Sequence, residues 1–240
     1  MNEKTVASAT PPRGFGGFDY VKISLLALAA NGIWQALHIV ILPIIILNFV
    51  PDAQKNTYLG LLTFCGLLLA MLTQPIIGAV SDRYGFSWGR RRPYILFGTL
   101  ASLPLLLGMG FASSYIVLLL LYCLFQVSMN AAYGPYQAFI PDLVARPKRG
   151  LASGTKGLLE MIGTIALIYP ISLLMDKYNV GGQSAYLNQS LGALALMLAV
   201  AVVLTLLLVK EKPARLKNQL SLAKTLLGTF KVDILSLIHI

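Results

Sequence analysis

Two sets of polar side chains interrupt long apolar stretches of this sequence, and both are spaced as on one face of an α-helix. The first set, at positions i, i+3, i+4 and i+7, consists of Asn31, Trp34, Gln35 and His38. The second set, at i, i+4, i+7 and i+11, consists of Gln126, Asn130, Tyr133 and Gln137. Residues at these spacings lie on the same side of a helix, so each set predicts one polar stripe.

The residue types in these stripes suit a ligand rich in hydroxyl groups. Amide side chains both donate and accept hydrogen bonds, and Trp34 and Tyr133 offer flat apolar faces for a pyranose ring. Two stripes at matching depth predict a binding cavity between their helices. The alternative is that the amides bond across helices, at about 0.6–2 kcal/mol each, and hold the helices together.

Glu160 and His38 are the candidates for coupling an ion or a proton. Glu160 lies near the middle of an apolar run, where an unpaired carboxylate is costly and functional by default. The alternative for Glu160 is a salt bridge to Lys156, one helical turn earlier. His38 titrates near physiological pH in its ordinary form; the alternative is a neutral histidine hydrogen-bonded to a neighbour.

The elements that must position these residues are membrane-spanning helices. Of the 240 residues, 57% are hydrophobic and 12% are charged, against about 25% charged in soluble domains. Apolar runs of about 20 residues cross a bilayer, and these runs are too continuous for barrel strands. The sequence therefore predicts an all-α membrane protein with six transmembrane helices, over 20–49, 57–80, 94–112, 115–140, 151–175 and 186–209. All but the last contain one proline, which kinks helices and favours a cavity.

The distribution of positive charge predicts the orientation. Of 19 Lys and Arg residues, all but Lys55 and Lys177 lie on the same side of the six spans. Because basic loops stay on the cytoplasmic side, we expect both termini in the cytoplasm and the chain in a plasma membrane or bacterial inner membrane. The net charge of +10 then reflects topology and predicts no nucleic-acid partner.

The two ends of the chain are predicted to lie outside the membrane. Residues 1–19 are expected to be a disordered cytoplasmic tail, with no cleavable signal peptide. Residues 210–234 are expected to form a cytoplasmic linker with an amphipathic helix, either on the membrane surface or as a soluble linker. Residues 235–240, LSLIHI, are the six that a common sequencing-adapter DNA encodes, and they are interpreted as an artefact. The alternative is the natural start of a seventh span.

The loop between the second and third spans carries a family signature. The pattern D-R-x5-G-R-R-R-P resembles the loop motif of the major facilitator superfamily, and its spacer and ending are similar to the branch of sucrose transporters and glycoside–pentoside–hexuronide:cation symporters. The motif residues are Asp82, Arg83, Gly89, Arg90, Arg91, Arg92 and Pro93. A second pattern of that branch, N-x3-G-P-x2-A-x3-D-L, is matched by Asn130, Gly134, Pro135, Ala138, Asp142 and Leu143.

The resemblance implies a fold of twelve spans in two six-helix halves, each an inverted pair of three-helix repeats. This chain would be the N-terminal half, its partner the missing C-terminal half, and its first and fourth spans would face a central substrate cavity. The loop would be a cytoplasmic latch that includes Gly78 and the motif residues from Asp82 to Arg92. Gly78 would allow another helix to approach, and Asp82 would pair with an arginine or with a helix N-terminus of the other half. The alternative is that the loop only anchors the topology of the chain.

The function that the resemblance implies is uptake of a sugar or glycoside by alternating access, coupled to a cation. The alternative on the same fold is uncoupled transport or export of another small metabolite. The branch has an aspartate at the position of Gln126 and an arginine at that of Gln137, so coupling in this half is expected to fall to Glu160 or His38.

Other functional classes have little support in the sequence. Motifs of hydrolases, metal enzymes and phosphate-binding loops are absent, so an enzyme is not expected. Cys65 and Cys123 lie inside apolar runs and predict neither a disulfide framework nor a metal site. No cofactor is expected beyond a coupling proton or sodium ion, and the expected partners are a sugar-like solute and the bilayer. A membrane sensor that binds without transporting is a further alternative.

Overall fold

The computed structural model of the chain describes residues 16–84, 86, 88–181 and 184–211. Six helices in these ranges are long and apolar enough to cross a membrane, which confirms the predicted all-α membrane fold. They are α1 (Gly17–Ile46), α2 (Asp52–Arg83), α3 (Arg92–Phe111), α4 (Tyr115–Leu143), α5 (Arg146–Gly181) and α6 (Ser184–Leu208). Most extend a few residues beyond the predicted spans because helical hydrogen bonding continues into polar flanks that hydropathy excludes.

The helices pack as two related sets of three. α1 packs against α5 and α6, and α4 packs correspondingly against α2 and α3. The two third members, α3 and α6, contact each other. If α1, α2 and α3 are exchanged in order with α4, α5 and α6, the same pairs of helices are in contact. Equivalent helices are three spans apart in the sequence and therefore cross the membrane in opposite directions. This is the arrangement of an inverted repeat.

α1 is the central helix of the described part. Of its most apolar stretch 56% is buried, against 11% for α2 and 17% for α5. Its fully buried side chains include Leu26, Ile33 and Leu37. α2 and α5 instead expose large apolar side chains such as Met71 and Ile165, so their outer faces are suited to lipid or to another helical bundle.

Two glycines allow α1 and α5 to cross closely. A Cβ atom added at Gly32 would lie 2.5 Å from the carbonyl oxygen of Gly163. A Cβ atom added at Gly163 would collide with the carbonyl oxygen of Leu28. Small residues at such points let helix backbones approach inside a membrane, so this crossing fixes the position of α1 against α5.

The hydrogen bonding of α1 is irregular close to the polar stripe. Residues Leu37–Ile41 form a π-helical turn between two α-helical segments. Pro43 lies just beyond the turn, after Leu42. A proline removes one backbone donor, and π-helical turns are frequent at functional sites. His38 lies within this turn.

Several sequence predictions concern residues outside the described ranges. These are most of the tail at 1–19, the amphipathic helix expected within 210–234, and the adapter-like segment 235–240. They remain predictions.

Candidate functional site

A cavity of about 570 Å³ opens between α1, α2 and α4. Its size lies within the range of about 300–1,000 Å³ that small-molecule sites occupy. The apolar lining includes Phe64 and Leu67 of α2. The polar lining comes from all three helices: Trp34, His38, Thr63, Gln74, Tyr122, Gln126 and Asn130. A cavity lined by both apolar and polar side chains suits a solute that has both a ring face and hydroxyl groups.

Five of the polar lining residues form one continuous hydrogen-bonded row, in which each amide donates to the next residue. Gln74 Nε2 donates to Asn130 Oδ1 at 2.6 Å, and Asn130 Nδ2 donates to Gln126 Oε1 at 3.1 Å. Gln126 Nε2 donates to the Tyr122 hydroxyl at 2.6 Å, which lies 2.6 Å from His38 Nε2. The row thus runs from α2 across α4 to α1, and each amide keeps bonding capacity that a ligand can use.

Packing holds the row in place. Tyr122 is 1% exposed, Asn130 2% and Gln126 7%. A Cβ atom at Gly66 of α2 would collide with the Tyr122 ring and would lie 3.0 Å from Gln126 Cγ. The absence of a side chain at Gly66 therefore allows α2 to close against these two residues.

A second polar cluster joins α1 and α4 to α5 around Glu160. The Tyr133 hydroxyl donates to Glu160 Oε1 at 3.0 Å, and Lys156 Nζ lies 3.4 Å from the same oxygen. Asn31 Nδ2 donates to the Glu160 carbonyl oxygen at 3.3 Å and to Thr164 Oγ1 at 3.1 Å. Glu160 is therefore paired, as the salt-bridge alternative for it required.

The two predicted stripes divide between these places. Trp34, His38, Gln126 and Asn130 line the cavity, whereas Asn31 and Tyr133 bond to α5. Trp34 and Tyr133 connect the two groups edge to face, with ring centroids 4.8 Å apart. Gln137 is exposed, with its Nε2 3.5 Å from Gln74 Oε1, and Gln35 is half-buried. Interhelical bonds thus involve Asn31 and also the cavity-lining Asn130, which accepts from Gln74. A role of the eight residues in binding a solute stays a prediction.

Sequence reasoning missed three polar residues of the cavity. Tyr122 lies four residues before Gln126, so extending the second stripe by one turn finds it. Gln74 lies within the segment LTQPIIGAVSDR at the end of the second span, but neither stripe included it. Thr63 carries no comparable signal, because lone threonines are common in membrane helices and bond back to their own backbone, as Thr63 does.

The loop after α2 forms an ion cluster with the end of α4. Arg91, whose side chain is 5% exposed, donates to Asp82 Oδ1, to Asp142 Oδ2 at 3.1 Å and to Ser81 Oγ at 2.6 Å. Arg90 donates to Asp142 Oδ2 at 2.7 Å. Burial lowers the pKa of Arg90, but Asp142 and the charge of Asp82 more than offset this and raise it above its ordinary value. Asp142, a motif residue, was not predicted to belong to this cluster.

The loop also contacts Glu211, which lies just after α6. Glu211 accepts from the backbone N–H of Arg91 at 2.8 Å and of Arg92 at 3.4 Å, where α3 begins and a negative charge is favoured. The Arg92 guanidinium donates to the Leu206 carbonyl oxygen. Gly89 has φ +139°, a conformation that favours glycine, so the glycine of the motif has a backbone reason in this chain.

Gly78 and Arg83 are two further residues of the predicted latch. A Cβ atom at Gly78 would have no heavy atom within 4 Å among the residues considered, so the described helices make no close approach there. The Arg83 guanidinium lies 5.5 Å from the centroid of the Tyr84 ring. A role for Gly78 and Arg83 in a latch stays a prediction.

Comparison with known proteins points to one family. The family model described as Major Facilitator Superfamily matches residues 22–237. Sucrose transport protein SUT1 of Oryza sativa subsp. japonica is 32% identical over 111 residues, which are 37% of this chain and 21% of that protein. Proton-associated sugar transporter A of Homo sapiens is 30% identical over 189 residues, which are 72% of this chain and 25% of that protein. The chain thus spans about a quarter or less of the length of these relatives.

Proposed function

The chain belongs to the major facilitator superfamily, a family of transporters rather than enzymes, and from this premise we propose that it takes up a sugar or glycoside coupled to a cation. In this proposal it is the N-terminal half of a carrier that works by alternating access, with the C-terminal half as its partner. The observation that carries the proposal is the hydrogen-bonded row of amides in a cavity that is also lined by apolar side chains.

The chemistry of the cavity favours a sugar over other small solutes. Gln74, Gln126 and Asn130 present neutral donors and acceptors together, which match vicinal hydroxyl groups. Trp34 supplies an aromatic ring to the same cavity. None of the described lining residues is Asp, Glu, Lys or Arg, so a charged ligand finds no permanent counter-charge there. Similarity to proteins named as sugar transporters supports this choice.

Coupling to a cation is proposed to involve His38 or Glu160. Both intramembrane positions that carry charge in the sucrose branch hold amides here, Gln126 and Gln137. His38 lines the cavity, and Glu160 is connected to the lining residue Trp34 through Tyr133. These are the groups near the site whose charge a proton can change.

The ion cluster of the loop is proposed to act as a cytoplasmic latch in this cycle. Asp82, Arg91 and Asp142 tie together the ends of α2 and α4 and the start of α3. The exposed apolar faces of α2 and α5 are proposed to meet the C-terminal half or lipid. The predicted plasma or bacterial inner membrane, with a cytoplasmic N-terminus, belongs to the same proposal.

Ligand binding can be tested with the native fluorescence of Trp34. The chain has two tryptophans, and Trp88→Phe leaves Trp34 as the only one. Sucrose is expected to change its emission saturably, and Asn130→Ala is expected to weaken binding about tenfold, as loss of one hydrogen bond to a buried group of about 1–2 kcal/mol requires. The matched control is Asn48→Ala, which removes an exposed amide bonded to the Tyr178 hydroxyl at 2.7 Å. A response equal for sucrose and for a non-sugar such as glycine would contradict the proposal.

In the proposed carrier, transport requires the C-terminal half together with this chain. In proteoliposomes, uptake of labelled sucrose is expected to rise when an inward proton or sodium gradient is imposed. Uptake that ignores both gradients would remove the coupling and leave the uncoupled alternative. Binding without uptake would favour a sensor.

A further inference from the structure

His38 of α1 and Tyr122 of α4 share a hydrogen bond at the wall of the cavity. His38 Nε2 lies 2.6 Å from the Tyr122 hydroxyl oxygen, and the two rings meet edge to face with centroids 5.8 Å apart. Both side chains line the cavity. This bond joins the one histidine of the described residues to the end of the amide row.

The surroundings fix which nitrogen of neutral His38 carries the proton. Nδ1 lies 2.7 Å from the carbonyl oxygen of Trp34, which can only accept, so Nδ1 must be the donor. In a neutral imidazole the other nitrogen is then an acceptor. His38 Nε2 therefore accepts from the Tyr122 O–H, while the Tyr122 oxygen accepts from Gln126 Nε2 at 2.6 Å.

A proton on His38 reverses this one bond. Both nitrogens of an imidazolium are donors, so Nε2 donates to the Tyr122 oxygen, which continues to accept from Gln126. The Tyr122 hydroxyl hydrogen can no longer point at His38 and turns toward the cavity. The single covalent change is the new N–H bond at Nε2, formed with a proton from the aqueous phase.

We infer that His38 binds a proton together with a sugar, because the protonated histidine frees the Tyr122 O–H to donate to a sugar hydroxyl. This inference rests on the proposed function and selects His38 over Glu160 as the coupling group. By linkage the sugar must strengthen proton binding as much as the proton strengthens sugar binding.

Among the described residues, His38 is hydrogen-bonded to no charged or titratable side chain of the neighbouring helices other than Tyr122, so the switch depends on the His38–Tyr122 pair. On α4 the facing group is Tyr122, with the thiol of Cys123 next to it in sequence, and on α2 the nearby lining is uncharged Thr63 and Gln74. On α5 the Lys156–Glu160 pair contacts Tyr133 rather than His38. The other titratable groups of α5 toward its C-terminal end are exposed or half-buried: Tyr169, Asp176, Lys177 and Tyr178. On α6 the titratable group is Tyr186, which faces Lys177.

The first test reads the tautomer without any sugar. The second histidine of the chain is His239, so His239→Ala leaves His38 as the only signal in ¹⁵N-histidine NMR. At high pH the spectrum is expected to show a protonated Nδ1 and an unprotonated, hydrogen-bonded Nε2. Tyr122→Phe is expected to remove that hydrogen bond and shift the Nε2 resonance. A neutral His38 protonated at Nε2 would overturn the inference.

The second test measures sucrose affinity against pH in the Trp88→Phe background. Because the protonated histidine favours the sugar, affinity is expected to be highest at low pH and to fall about 5- to 150-fold by pH 8. His38→Gln is expected to abolish this dependence, and Tyr122→Phe to hold affinity near the high-pH value throughout. The matched control is Tyr115→Phe on α4, the helix that also carries Tyr122. This substitution removes a hydroxyl that donates to the Tyr58 carbonyl oxygen at 2.8 Å, and it is expected to leave the pH profile unchanged.

The two proposals fail in different ways. Sucrose binding with a flat pH profile in the parent protein overturns the role of His38 and leaves the sugar transporter standing. A pH profile that survives in His38→Gln also overturns it and points to Glu160. The lack of sucrose binding at every pH overturns both proposals.

Discussion

Replacing Gly163 with alanine is expected to force α1 and α5 apart. The new Cβ atom would collide with the Leu28 carbonyl oxygen and would lie 2.7 Å from the Leu28 carbonyl carbon. This distance is about 0.7 Å shorter than the 3.4 Å at which ordinary van der Waals contact begins. The obstacle is backbone, so a change of rotamer cannot relieve it, and the helices must separate.

The expected cost follows from the size of that separation. A gap of 0.5–1 Å forfeits about a quarter to a half of the dispersion energy of the atoms that face it. Overpacking of a methyl group typically costs about 1–3 kcal/mol. In a domain of this size each kcal/mol shifts the melting temperature by about 2–4 °C, so Gly163→Ala is expected to lower it by about 2–12 °C.

A matched control lies on the same helix. A Cβ atom at Gly157 of α5 meets no heavy atom within 4 Å, so Gly157→Ala is expected to change stability by no more than about 1 kcal/mol, in the stabilising direction. Thermal unfolding in detergent can be followed by a thiol-reactive fluorophore, because Cys65 and Cys123 are free and partly buried. Equal shifts for the two variants, or no loss for Gly163→Ala, would refute the close crossing of α1 and α5.

Three further substitutions test the site and the loop. Gly66→Ala is expected to displace the Tyr122 ring and to weaken sucrose affinity, measured by Trp34 fluorescence, at least about fivefold. Circular dichroism is expected to show little change of fold, and unchanged affinity would contradict the packing argument. Asp142→Asn leaves the buried Arg91 with one carboxylate instead of two and is expected to destabilise the protein by about 1–3 kcal/mol, seen as a lower melting temperature; a neutral effect would show that the cluster is only a topology signal. Gly89→Ala places a side chain at φ +139° and is expected to cost about 1–3 kcal/mol, whereas an unaltered melting temperature would argue against that backbone conformation.

The number and nature of the helices were predictable from the sequence because the bilayer constrains them locally. A backbone in lipid must satisfy its own hydrogen bonds, so an apolar run of sufficient length predicts a helix without knowledge of its neighbours. The ends were less accurate for the same reason. Hydropathy stops at the last apolar residue, whereas α5 continues to Gly181 through Asp176 and Lys177.

The candidate site was predictable in its composition and only partly in its arrangement. Helical spacing placed Trp34 and His38 on one face of α1, and both line the cavity. The same spacing placed Asn31 beside them, but the close crossing at Gly163 brings α5 within reach of Asn31 and its amide bonds there instead. A stripe on one helix is wide enough to face two neighbours, and spacing alone does not say which.

Local chemistry in the chain was enough to predict an all-helical membrane protein, the two polar stripes and the motif of its family, because each follows from short-range pattern and solvent. Only packing decided that Gln74 joins the amides, that the Tyr133 hydroxyl bonds to Glu160, and that Arg91 holds Asp142 as well as Asp82. These contacts depend on how closely helices that are distant in the sequence approach one another, and glycines such as Gly66 and Gly163 allow the closest approaches.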